Sequence, residues 1–280
     1  MAFSIFCATT DRMETASTAE AVPAKDDKLT LIAIAALSCI LQDVLHEGLG
    51  HGVTAWLSGA RSVTMSTVAL QSDIETRWIS ANGTLVNLVF GAIFWLLLRR
   101  PQRYAPAVFY FLLLAMTGNL FGGTGYFLYS GFSNFGDWAA VIQGLQPHWL
   151  WRAGLVVLGV ASYYASMMLA ASRLKEFYGA DRNSRRIRGL AWTPYFTDGI
   201  LAGVAGLLNP AGMIYVVLSA LPSTLGANTG LWFLPSMMPI WPTREEPLGP
   251  IRRSPVWIAI GAVASLLFVF VLGPGISWSR

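Results

Sequence analysis

The stretch Asp43-Val44-Leu45-His46-Glu47-Gly48-Leu49-Gly50-His51-Gly52 gathers four ionisable side chains into an otherwise apolar run. The chain has only 3 histidines, and two of them are here. Ionisable groups are expensive inside a membrane helix and tend to mark function there. Two imidazoles and one carboxylate, with a fourth position left to water, form a known catalytic zinc arrangement. In the zincin pattern two His at i and i+4 hold the metal from one helix face, and the Glu between them is the general base. His46 and His51 are instead spaced i and i+5. At about 100° per residue, i+5 lies roughly 140° round a regular helix, so the rings would diverge. A one-residue π-bulge absorbs the extra residue and lets them converge, and Gly48 and Gly50 are weak helix formers that permit it. Glu47 would then take the proton of a metal-activated water. Asp43, one turn before His46, would orient that ring's second nitrogen.

The same residues admit another chemistry. On a regular helix Asp43, Glu47 and His51 fall at i, i+4 and i+8 and make one polar stripe. Carboxylate and imidazole chains of this kind serve proton relays and ion pathways in membranes. That reading makes the chain a proton- or metal-ion-coupled transporter. A third places His46 and Glu47 at a solvated membrane interface with no chemistry, since Leu29 to Leu45 already cover roughly 25 Å of helix.

The elements that must position these groups follow from composition. The 280 residues are 54% hydrophobic and only 12% charged, with a mean hydropathy of +0.52. Soluble domains carry about twice that charge, and a disordered chain would be far less apolar. The expectation is an all-α membrane protein embedded in the lipid bilayer, a polytopic bundle of about six to seven transmembrane helices. Spans read as 29–58, 78–98, 104–130, 149–172, 191–208, about 211–240 with internal breaks, and 255–273. Between the first two, Val63, Met65, Thr67, Val68 and Leu70 alternate with Ser and Thr, a hairpin-like segment near 62–70. Residues 1–28 read as a mobile polar tail, 29–145 as the core carrying the chemistry, and 146–280 as additional transmembrane helices.

The net charge of +4 is not a nucleic-acid footprint, and no nucleic-acid partner is expected. The basic residues cluster in short loops, at Arg99, Arg100 and Arg103, at Arg182, Arg185, Arg186 and Arg188, and at Arg252 and Arg253. This is the pattern of loops held on the cytoplasmic side, as in a multi-pass protein of the cell membrane. Alternation of the spans then puts 59–77 and 131–148 together on the opposite side, so the end of the first span and residues near 137 share a face.

The His46–His51 stretch resembles the site-2 protease family of intramembrane metallopeptidases, whose motif reads His-Glu-x-x-His followed by small or apolar residues. Here it carries one inserted residue. Asn82-Gly83-Thr84-Leu85-Val86-Asn87 is similar to the family's Gly-Pro-x-x-Asn element, without the Pro, and Asn119 in Gly118-Asn119-Leu120 resembles the asparagine preceding the third ligand. The family's third ligand is an Asp in an Asp-Gly pair; this chain offers Gly136-Asp137-Trp138, so Asp137 is carried over by position. The resemblance covers residues 40–145. It implies a membrane-embedded zinc peptidase with His46, His51 and Asp137 as metal ligands, Glu47 as base, and Asn87 or Asn119 holding substrate or oxyanion. Its substrate would be a membrane-associated polypeptide, and an inactive relative would keep the bundle without the ligand spacing. On the residues alone, Asp137 reads equally well as the cap of a short helix. Asp198, in Thr197-Asp198-Gly199, reads as a ligand, an ion site or a helix cap.

Overall fold

A computed structural model of the chain describes residues 25–179, 183–210 and 212–279. Nearly all of the expected 1–28 tail therefore lies outside the described residues. The fold is mostly helical. Helix α1 (Lys28–Asp43) starts where the Asp27 carboxylate accepts from the Thr30 N–H at 2.9 Å, which satisfies one of the free amides of the first turn. It runs without a break into a π-helical segment, Val44–Gly52, and then into α2 (Val53–Leu57). Strands β1 (Ser62–Met65) and β2 (Leu70–Ser72) follow, then α3 (Arg77–Leu97), which Thr76 caps. Helix α4 (Pro106–Ser133) leads through a tight turn to the short α5 (Asp137–Ile142), and α6 (His148–Leu174) returns.

The remainder is less regular. Helix α7 (Ser184–Leu207) contains Pro194, whose missing N–H leaves the Leu190 carbonyl without its helical partner. The buried Tyr110 hydroxyl donates to that carbonyl at 2.7 Å. A single turn, α8 (Met213–Tyr215), opens into two π-helical stretches, Val216–Ala220 and Pro222–Gly226, before α9 (Thr229–Met237). Helix α10 (Pro255–Leu267) and its π-helical end precede β3 (Ile276–Ser279).

Helix α4 is the axis of the fold. It packs against α1, α3 and α6, and Phe109, Tyr110, Met116 and Phe121 on it are fully buried. A helix apolar all round belongs in an interior. Two other apolar helices, by contrast, lie outermost: only 17% of Pro255–Leu272 and 22% of the most apolar stretch of His148–Phe177 is buried. Val256, Ile260, Val263 and Leu266 face outward from the first. A surface built this way suits hydrocarbon rather than water.

Five helices among the described residues are long and apolar enough to cross a membrane: Lys28–Leu57, Arg77–Leu97, Pro106–Ser133, His148–Phe177 and Pro255–Leu272. The expected span at 191–208 belongs to α7, which carries Arg185, Arg186, Arg188 and Asp198. The stretch expected at 211–240 has the internal breaks anticipated for it: a turn at Ala227 and Asn228 separates the helical run 213–226 from α9. The hairpin-like segment expected near 62–70 is formed by β1 and β2, and β1 is the central strand of a three-stranded antiparallel sheet of order β2-β1-β3. Val63 pairs with Ser72 on one side and Trp278 on the other.

The basic loops gather at one end. Arg186 bridges Asp26 at 2.9 Å and donates to the Leu248 carbonyl. Arg173 donates to the Leu98 carbonyl, and Arg252 and Arg253 line a cleft with Ala105 and Pro106. The sheet, the end of the first span and α5 lie together elsewhere, around the ionisable cluster.

Candidate metal centre

His46 and His51 both project from the π-helical segment. Five residues per hydrogen-bonded turn replace four there, which is the geometry an i,i+5 pair needs to share a face. The two Nε2 atoms are 3.1 Å apart, and the rings meet edge to face at 4.7 Å. Both imidazoles are buried. His51 is fixed from behind, since its Nδ1 lies 2.6 Å from the Ile79 carbonyl. A proton donated there leaves Nε2 as the free lone pair, the usual orientation of a metal-bound histidine.

Asp137 arrives from the opposite side. Asn134, with φ of 57°, ends α4 in the left-handed conformation, and Gly136 follows with φ of 82°. The chain is thereby turned back so that Asp137, first residue of α5, points at the histidines. Its Oδ2 is 3.2 Å from both Nε2 atoms. Burial alone would raise its pKa, but the neighbouring imidazoles of His51 and His46 outweigh that and hold the carboxyl well below the usual range.

The three atoms form a nearly equilateral triangle with edges of 3.1, 3.2 and 3.2 Å. A tetrahedral site with bonds of about 2.0–2.1 Å has ligand edges of roughly 3.3–3.4 Å. Asp137 Oδ2 is buried yet makes no hydrogen bond of good geometry to either ring, while the two Nε2 atoms are in hydrogen-bond reach of each other. One proton cannot serve three such atoms, whereas one cation can. His46, His51 and Asp137 could thus hold a metal ion.

Other residues complete the surroundings. Glu47 is buried, its Oε2 has no hydrogen-bond partner, and its carboxylate faces the Leu70 backbone amide. It lines an inner cavity with Asp43, His46, Thr67 and Asn87, and an outer cleft with His51, Leu70 and Asp137. Asp43 and Asn87 each present an unpartnered buried oxygen to the inner cavity. No hydrogen bond joins Asp43 to His46 among the described residues; Asp43 lines the cavity rather than gripping the ring. Asn119 is not brought to the site, because its amide donates to the Ala115 carbonyl of its own helix at 2.8 Å.

Tyr126, not singled out from the sequence, and the glycines of two motifs also shape the centre. The Tyr126 ring lies over His46 at 5.2 Å. Gly83 faces both rings so closely that a Cβ there would lie 2.6 Å from His51 Cε1 and 2.8 Å from His46 Cε1. Gly50 meets Gly83 in turn, its own absent Cβ falling 2.5 Å from the Gly83 Cα. The Asn82-Gly83 pair therefore works through space, with Asn82 donating to Thr54 at 2.8 Å and so clamping α2 to α3. No family model matches the chain, and neither the curated proteins nor the solved structures offer a match.

Proposed function

We propose that the chain is a membrane-embedded, zinc-dependent peptidase of the site-2 protease type, acting on a membrane-associated polypeptide in the bilayer of the cell membrane. The observation that carries this reading is the convergence of His46, His51 and Asp137 from two separate elements on one point. Two imidazoles and a carboxylate with an open fourth position are a donor set suited to zinc. When bound, zinc supplies the Lewis acidity that brings a water's pKa near 7 and polarises a carbonyl.

The chain's own residues supply the rest. Glu47 takes the water proton on its free Oε2 and returns it to the leaving amine. The Ile79 carbonyl keeps the His51 tautomer in register. Asn87, buried and unpartnered at Oδ1, can accept there from a substrate backbone N–H, and its Nδ2 is the group that would donate to a developing oxyanion. Leu70 and Ser72 of β2 line the outer cleft beside Glu47 and His51, where an extended segment can lie along the strand. The outward-facing apolar helices support placement in a bilayer, and the gathering of basic loops at one end supports a cytoplasmic location for that end.

The alternative is a proton- or metal-ion-coupled transporter using Asp43, Glu47 and His51; the π-helical segment favours the peptidase reading because it brings His46 and His51 together.

The test is metal content of the detergent-purified chain, beside His51→Ala, Asp137→Ala and Glu47→Gln. The expected result is one zinc per wild-type chain, loss in the first two variants, and retention without peptide cleavage in Glu47→Gln. A wild type that stays metal-free after zinc reconstitution would refute the proposal.

A further inference from the structure

A second buried polar cluster lies apart from the metal centre, where α1, α4, α7 and the start of α9 meet. Asp198 of α7 is 6% exposed, and Asn228 and Thr117 are each 1% exposed. The Asn228 amide donates to Asp198 Oδ2 at 3.0 Å. Asn228 is thus drawn away from capping α9, for which its side chain makes no hydrogen bond. Three oxygens remain unpartnered: Asp198 Oδ1, Asn228 Oδ1 and Thr117 Oγ1. All three residues line one small cavity, together with Ser38, Gly118 and Pro194, with room for about one water-sized sphere. This cavity shares no lining residue with the two that border the metal centre.

Charge balance decides what fits. No Lys, Arg or His among the described residues pairs with Asp198. A bare carboxylate in such surroundings is strongly disfavoured. A proton on Asp198 would neutralise it, but neither it nor the Thr117 hydroxyl has an acceptor in reach, since none of the three oxygens has a hydrogen-bond partner. A cation satisfies all three at once. Carboxylate, amide carbonyl and hydroxyl are hard oxygen donors, unsuited to a soft transition metal. One carboxylate neutralises one positive charge, whereas a divalent ion would leave an excess in an apolar interior.

We propose that Asp198, Asn228 and Thr117 form a structural site for a single sodium-sized monovalent cation, which ties α7 and α9 to the central helix α4. The ion replaces a missing internal counter-charge, so the bundle is more stable when it is bound. The site is independent of the zinc reading and would exist in a protein with no peptidase activity.

The test is thermal unfolding of the detergent-purified full chain as N-methylglucamine chloride is replaced by sodium chloride at constant ionic strength. The wild type is expected to gain stability saturably with sodium. Asp198→Asn is expected to show no sodium response. Thr117→Val, which keeps size but removes one ligand, should need about tenfold more sodium for half-saturation. Asp137→Ala should respond like the wild type; loss of its response would assign the effect to the metal centre and overturn the proposal. A wild type that melts identically in both salts, or an Asp198→Asn variant that keeps the sodium response, would also overturn it. Should Asp198→Asn fail to accumulate, an unchanged half-saturation in Thr117→Val is the refuting result.

Discussion

Replacing Gly83 by Ala tests the metal centre without touching a ligand. The added methyl would begin 2.6 Å from His51 Cε1 and 2.8 Å from His46 Cε1, and would press on His51 Nε2 as well. Carbon–carbon contacts settle at about 3.5–4.0 Å, so each ring must retreat by about 1 Å. Bonds to a protein-held metal tolerate about 0.2 Å. The rings cannot yield backwards, because His51 is held by Ile79 and His46 by Tyr126. Affinity for zinc should therefore fall by at least about 100-fold, with a packing penalty of about 1–3 kcal/mol. Gly91→Ala on the same helix is the control. Its methyl would meet Leu120 Cδ2 at 2.7 Å, a comparable overpacking far from the histidines, and it should destabilise without losing metal. Competition against a chelator, with thermal melts in parallel, separates the two effects. A folded Gly83→Ala protein binding zinc as tightly as the wild type would refute this account of the site.

Deleting Leu49 restores the i,i+4 spacing, and the π-helical segment should relax to α-helix with metal affinity within about tenfold of wild type; an alanine inserted after Leu49 should abolish binding, and chelator competition distinguishes them. Asn119→Ala should leave metal content unchanged and cost about 1–3 kcal/mol of stability, since it removes the buried hydrogen bond to the Ala115 carbonyl and leaves a small void. Asn87→Ala should keep its metal yet slow peptide hydrolysis by about 100-fold. Asp27 has a pKa lowered from 3.8 by the backbone and side-chain hydrogen bonds of Thr30. Its stabilising contribution is present above the unfolded value and is lost as pH falls through the folded one. Wild type should accordingly melt above Asp27→Ala at neutral pH, and the gap should close in strong acid.

The spans and the metal-centre constellation were legible because their signals are local. Apolar runs mark α1, α3, α4, α6 and α10 to within a few residues, and an i,i+5 histidine pair in a helical run can share a face only through a bulge. Other features depend on partners far along the chain. Strand β3 is four residues long, and its partner β1 lies near the other end of the sequence; so short a segment has little signal apart from its pairing. The 213–240 region has the composition of a span, but a turn at Ala227 and Asn228 divides it, and the helix runs on through Pro222 and Pro235 in partly π-helical form. The role of Gly83 is invisible in sequence, since what matters is which rings face the hydrogen where a Cβ would be. Asn119 shows the converse: its neighbourhood in sequence matched an expectation, and its side chain turned back on its own helix.

The glycines of the motif illustrate how far local reasoning reaches. Read from sequence, Gly48 and Gly50 relax the helix enough for a bulge. In the structure each of the motif's glycines is also a contact with a different element. Gly48 faces the Met65 side chain of β1 at 3.3 Å, Gly50 the Gly83 backbone of α3 at 2.5 Å, and Gly52 Leu70 Cδ1 of β2 at 3.2 Å, each measured from the position a Cβ would take. Helical backbone angles at Gly52 are ordinary, so it is nearness rather than conformational freedom that bars a side chain there. The three positions differ in what can give way. Met65 is flexible and adapts to a methyl, while the Gly83 backbone cannot move without carrying α3 with it. The π-helical segment is therefore held as much by its neighbours as by its own residues. That arrangement makes geometric sense for a centre whose ligands come from two elements: the strands and α3 fix the histidine-bearing segment, and the turn at Asn134 and Gly136 delivers Asp137 to it.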